Sequence, residues 1–185
     1  MPQSTLLSPP ANERQTISAN RIGNAQLGMT LGELKETMGA ETQFESIPSF
    51  MVNLDAIAVS QQGEILYYIL HWASEPLTDS DPIKLILTNN PEFRTAEGVG
   101  VGTPIEEAEA VYGEAKLNYH TANESREYVQ FTNPPAPTLS FRPQSPDEDQ
   151  FAGIYPDTQG EYHETSDYED NATIGSIMLD GMRPQ

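Results

Sequence analysis

The chain of 185 residues carries 9 basic against 28 acidic side chains, a formal charge of −19, and contains no cysteine. That charge argues against a nucleic-acid binder, because a phosphate backbone demands a cationic face. The missing cysteines remove disulfides, thiol catalysis and cysteine-held zinc or iron–sulfur centres. No run reaches the ~18 apolar residues of a membrane-spanning helix, so no transmembrane segment is expected.

Residues 1–25 hold Pro2, Pro9 and Pro10 and no apolar stretch longer than Leu6–Leu7. A disordered leader is expected there. It lacks the apolar core of about 7–15 residues that defines a secretory signal.

Two similar units follow, at 26–96 and 97–185. Gly28–Gly39 reads GMTLGELKETMG and Gly102–Gly113 reads GTPIEEAEAVYG, an offset of 74 residues. In the first, Thr30 is placed to cap a short helix while Glu33 reaches back to complete a capping box. In the second, Thr103 takes the cap, Pro104 the first helical position and Glu106 the box. Leu31, Leu34 and Met38 form one apolar stripe; Ile105, Ala108, Val111 and Tyr112 form the other. Gly39 and Gly113 are expected to end the helices in the left-handed conformation. Helices of about eight residues do not persist alone, so each must lean on a sheet.

Strands are expected at Phe50–Val59 and Glu64–Ala73 around a hairpin at Gln61–Gly63, then at Ile83–Thr88. In the second unit they are expected at Lys116–His120, Arg126–Thr132, Thr138–Arg142 and Thr173–Leu179. The closing strands correspond at an offset of 91 rather than 74, which implies about 17 extra residues in the second unit. These fall in the acidic stretch 143–168. From Pro143 onward ten acidic residues face one base, Arg183, a net −9. An insertion hung on a complete scaffold is expected to be dispensable for folding. The fold class read from the sequence is α+β: two tandem repeats, each a short capped helix packed on an antiparallel β-sheet.

The phrase Leu27–Gly28–Met29–Thr30, with a helix closing at Gly39, resembles the opening of the repeats of the beta-lactamase inhibitory protein family. It is also similar to that of outer-membrane assembly lipoproteins of the small-protein-A type. The stretch Asn90–Thr95 through Gly98–Gly102 resembles uncharacterised exported bacterial proteins of this architecture. The resemblance implies the fold and an extracytoplasmic location, in the periplasm or secreted. It does not carry beta-lactamase inhibition over, since the inhibitor's cysteine pairs are absent and Thr103–Pro104 stands where Met-Thr belongs.

His71, His120 and His163 lie 49 and 43 residues apart, without metal-ligand spacing. His71, among Tyr67, Tyr68 and Trp72, reads as a structural residue at a sheet surface. His163, in Glu161–Tyr162–His163–Glu164, is placed to join a carboxylate cluster. Asp147, Asp149, Asp167 and Asp170 supply hard oxygen ligands for a weakly bound Ca2+, though without the spacing of a calcium loop; no other cofactor is expected. No nucleophile motif is present. Gly98–Gly102 lacks the G-K-[ST] ending of a phosphate loop and reads as a tight entry into the second helix.

Aromatic side chains remain as binding candidates: Tyr68, Trp72, Tyr162 and Tyr168, with Tyr67 assigned to the core. The leading expectation is a non-catalytic, extracytoplasmic module that binds an unidentified protein partner. A small hydrolase using carboxylates, with or without a divalent cation in the acidic loop, and an envelope assembly factor are the alternatives. A concave pocket holding carboxylates and His163 favours the hydrolase. An open sheet face with exposed Trp72 and tyrosines favours the binder.

Overall fold

Pairing of backbone groups decides the architecture, because two eight-residue helices cannot organise a chain of this size by themselves. The computed structural model describes residues 15–182 and is a mixed α+β fold. Helix α1 (Leu31–Met38) is followed by β4 (Thr42–Met51), β5 (Leu54–Gln61), β6 (Glu64–Trp72) and β7 (Leu85–Thr88). Helix α2 (Ile105–Tyr112) is followed by β9 (Ala115–His120), β10 (Glu127–Phe131), β11 (Leu139–Gln144), β12 (Tyr162–Thr165) and β13 (Thr173–Asp180). These strands form one nine-stranded sheet in the order β12-β9-β10-β11-β13-β7-β6-β5-β4. Every neighbouring pair in it is antiparallel, and the two halves meet where β7 pairs with β13.

Each helix entry is tied to the chain at or just ahead of the start of its closing strand by the same set of bonds. Gly28 N donates to Ile83 O, Ile83 N to Met29 O, and Leu31 N to Asp81 O, at 2.8, 2.7 and 3.1 Å. In the second half Gly102 N donates to Ile174 O, Ile174 N to Thr103 O, and Ile105 N to Ala172 O, at 2.7, 2.9 and 2.9 Å.

The caps differ. Thr30 Oγ1 accepts from Glu33 N at 3.1 Å and Glu33 Oε2 accepts from Thr30 N at 2.8 Å, a complete capping box. Thr103 does not cap α2. Pro104 occupies the cap position with an extended backbone and no side-chain bond, so Glu106 has no box to complete. The Thr103 hydroxyl is turned back into the connection, accepting from Gly100 N at 2.9 Å and from Arg94 Nη1 at 3.3 Å. At the C-termini, Gly39 and Gly113 have φ of 82° and 87°, but ψ of 175° and −176°. Their conformation is therefore not the left-handed helical one, but a region essentially reserved for glycine. Val111, expected in the α2 stripe, is exposed.

Residues 1–14 of the expected leader lie outside the described residues. Residues 15–25 are not a leader. They form β1 (Thr16–Ile17), β2 (Arg21–Ile22) and the start of β3 (Ala25–Gln26), which join β8 (Arg94–Thr95) in a small sheet ordered β3-β2-β1-β8. Ile17, Ile22 and Ala25 are buried in the main core, and β1 runs parallel to β8. Three apolar residues within nine positions suffice to anchor a strand meander that composition reads as loop.

The expected strand Phe50–Val59 is in fact a turn at Val52–Asn53 between two strands. The edge strand β4, with Pro48 and Ser49 at a register shift, lacks clean alternation, and an edge is where a sheet tolerates proline. The β5–β6 hairpin turns at Gln62–Gly63 as expected, with φ of 52° and 80°.

The acidic stretch is woven into the fold. The chain leaving β11 must pass β10 and β9 to reach the sheet edge as β12. On the way Ala152 is fully buried. The buried carboxylate of Glu127, on β10, accepts from Ala152 N and Gly153 N at 2.8 Å each and from the Tyr155 hydroxyl at 2.6 Å. Phe151, Tyr155 and His163 close around Tyr119 of β9, the rings of Phe151 and His163 stacked on it. Burial together with the Glu127 carboxylate pushes the Tyr155 phenol far above its ordinary 10.0. Burial also raises Tyr67, and pushes Tyr112 up to about 12.

Two expectations follow. Thr30→Ala should lower the unfolding free energy by about 1 kcal/mol in chemical denaturation, whereas Glu106→Ala should stay within about 0.5 kcal/mol of the parent. The raised phenols keep their protons longer in the folded state than in the unfolded chain. Their contribution is thus intact below pH 10 and is lost as pH rises from 10.0 towards about 12. The melting temperature should fall across that interval. Tyr155→Phe should make the fall shallower while costing about 2 kcal/mol at neutral pH, the usual worth of a hydrogen bond to a charged group.

Candidate functional site

Strand alternation sends Tyr67, Ile69, Leu117, Val129 and Ile177 into the core beneath the helices, and their neighbours to the opposite face. That second face changes chemistry across its width. Ala56, Ala58, Tyr68, Leu70, Leu85 and Leu87 form an apolar cluster on β5, β6 and β7. On β9, β10 and β11 the equivalent face carries Asn118, Tyr128, Gln130, Ser140 and Arg142. Among the described residues, the buried side chains of α1 and α2 belong to the core on the other side of the sheet.

The sheet curls around this face. Six strand steps separate β4 from β10, about 29 Å in a flat sheet at ~4.8 Å per step. Yet Ser49–Asn53, at the tip of the β4–β5 hairpin, line one cleft with Glu124, Arg126 and Arg142 of the other half. Phe50 of the hairpin packs on Tyr68 with ring centroids 4.7 Å apart, which shields the apolar half. The β9–β10 connection completes the rim. Glu124 and Ser125 sit at φ of 57° and 54°, and Arg126 Nη2 donates to Glu124 Oε2 at 2.9 Å. Arg142 is half-buried with its guanidinium 5.9 Å from the Tyr128 ring centre, and desolvation lowers its pKa.

Three of the four aromatic candidates share this face. Tyr68 is nearly buried within the apolar cluster. Trp72, two steps beyond Leu70 on β6, is 45% exposed, and Tyr162, opposite His120 on the edge strand, is 52% exposed. Tyr162 donates to Glu164 Oε2 at 2.8 Å, and its pKa is raised by partial burial and that carboxylate. Tyr168 is partly buried and lies apart from the other three. It packs against the core on the helix side, its pKa raised by burial and by Glu109. Tyr67 is buried, with its ring edge-on to Phe93.

The candidate cation ligands do not converge. Among the described residues no three His, Cys, Asp or Glu side chains gather as a metal-binding group. Asp147 and Asp167 are engaged in their own turns: Asp147 Oδ1 accepts from Asp149 N, while Asp167 N donates to Thr165 Oγ1. The histidines are dispersed too. His71 Nδ1 lies against the carbonyls of Trp72 and Glu75, and His163 meets Thr158 Oγ1 and Gly160 O rather than carboxylates. Where the glycine-rich connection passes Phe93, a Cβ on Gly100 would lie 2.5 Å from the Phe93 carbonyl oxygen. That stretch is a close backbone crossing.

Two residues that sequence reading passed over stand out on the polar half. Asn118 Nδ2 and Ser140 Oγ are buried without a hydrogen-bond partner. Each is an unremarkable polar residue in its own strand; only the register of three strands places both on one face.

No family model matches the chain, and no curated protein matches it in sequence. Among solved structures, the chain is similar to the uncharacterised protein YfeY from Escherichia coli, with a TM-score of 0.52 at 14% identity. The match covers 89% of this chain and 99% of YfeY, and it shows a shared fold.

Proposed function

We propose that this protein is a non-catalytic binding module of the extracytoplasmic space, and that it takes a protein partner on the curled sheet face opposite its helices. The exposure of Trp72 and Tyr162 at the rim of that face carries the reading. Large aromatics left in solvent beside a partly desolvated surface are the residues on which interfaces concentrate their energy. Val52, at the hairpin tip, adds a third exposed apolar group to the same rim. The hydrolase reading has less to rest on. His163 stacks on Tyr119 on the helix side, while Glu164 and Tyr162 stand on the other face, so the His163 imidazole and the Glu164 carboxylate do not share a pocket.

The module is, in this reading, a duplicated helix-and-four-strand unit, with β12 added in the second copy. The support is the three bonds at each helix entry, which correspond at an offset of 74 on the helix side and 91 on the strand side. The resemblance to envelope proteins supports the location.

The test is affinity capture with the purified protein as bait, from envelope and cytosolic fractions separately. One stoichiometric partner from the envelope fraction is expected. Trp72→Ala or Tyr162→Ala should weaken it by on the order of tenfold, while Phe151→Ala, exposed on the helix side, should leave it unchanged. Capture unaffected by both rim variants would sink the reading, as would capture of nothing alongside turnover of a generic substrate panel.

A further inference from the structure

The polar half of the open face carries an inference independent of any protein partner. A groove of about 500 Å³ runs along β9, β10 and β11, with Pro134 and Pro137 among the residues that line it and Tyr162 at the sheet edge. That volume lies within the range of sites that take small molecules. Asn118 and Ser140 both line it, and their Nδ2 and Oγ atoms have no partner. Asn118 is only 9% exposed. A buried donor without an acceptor destabilises the folded state. Two such groups in one groove mark a place where the fold tolerates a cost that a ligand removes.

The charge of the groove is equally selective. The chain carries −19, yet among the described residues lining the groove none is acidic. The charged or chargeable ones, tyrosines aside, are Arg126 and His120. Glu124 holds the Arg126 guanidinium in position from outside the lining. His120 Nδ1 accepts from Ala122 N at 3.1 Å, which puts the ring proton of the neutral form on Nε2, 4.0 Å from Glu161. The carboxylates of Glu161 and Glu164 stand beside His120 and Tyr162 at the sheet edge, outside the lining itself.

We propose that this groove binds a small organic carboxylate. Asn118 Nδ2 and Ser140 Oγ, closed to solvent in the unliganded chain, turn into the groove on binding and donate to its oxygens, Arg126 balances its charge, and the rings of Tyr128 and Tyr162 flank its carbon skeleton. The same chemistry is offered by a free dicarboxylate and by the carboxyl terminus of a peptide.

The experiment is a 1H–15N correlation titration of the full chain with succinate, citrate, the tripeptide acetyl-Ala-Ala-Ala, and that tripeptide amidated at its C-terminus. Saturable shifts of the Asn118 side-chain amide with succinate or citrate are expected. Shifts with the free-acid tripeptide alone would support the carboxylate site and identify the source as a peptide end. Equal response to acid and amide, or an unmoved Asn118 amide with every probe, overturns the proposal. Ser140→Ala and Asn118→Leu should each weaken binding by on the order of tenfold while the unliganded melting temperature holds or rises, since each removes an unpaired polar group. Unchanged affinity in a folded variant counts against the site, and Ser140→Ala decides alone if Asn118→Leu does not fold.

Discussion

The ladder that fastens each helix entry to its closing strand is the constraint on which the rest of the structure depends. Eight-residue helices have no stability of their own. Their first turns are held because Leu31 N and Ile105 N find acceptors at Asp81 O and Ala172 O, outside the helix. Those acceptors lie within four residues of the starts of β7 and β13, the strands that pair with each other inside the sheet. Fixing the helices and joining the two halves is therefore one event. The side-chain caps are secondary: α1 has a full capping box and α2 has none, yet both are eight residues long and start at equivalent places.

Curvature then divides the labour between the two faces. The core under the helices is continuous across both halves, from Ile57 and Ile69 to Leu117 and Val129. The other face splits into an apolar half shielded by Phe50 and a polar half holding Asn118 and Ser140. The acidic stretch that passes over β10 and β9 lies on the helix side, locked by Glu127, and so leaves the polar half open. Much of the chain's excess negative charge is carried by a segment whose acidic side chains do not line the groove.

What the sequence made legible follows a physical rule: local signals were readable, and those set by distant pairing were not. The Thr30–Glu33 box, the Gln62–Gly63 turn and most of the strands are encoded within a few residues. Thr103 misled because the hydroxyl has two uses, and Gly100 N with Arg94 claims it before the helix does. The β1–β3 meander is fastened by the pairing of Ile17 with Thr95, far along the chain. The edge strand β12 exists only because the acidic stretch crosses two strands to reach it. At the candidate site, Trp72 and Tyr162 were found from residue type, whereas Asn118 and Ser140 needed the register. The place of Tyr168 depends likewise on distant packing: it lies partly against the core under the helices, which its neighbours in sequence do not reveal.

The small sheet built from β1, β2, β3 and β8 has a consequence for the order in which the molecule assembles. Its first strand lies alongside Arg94–Thr95, and Thr138 Oγ1 donates to the Ala19 carbonyl at 2.7 Å across 119 residues of sequence. During synthesis residues 15–26 therefore leave the ribosome well before their partners exist. Contacts so distant in sequence are slow to form, which makes the earliest part of this fold to be translated one of the last to settle. A nascent chain halted before residue 138 would still lack the hydroxyl that fastens this meander to the second half.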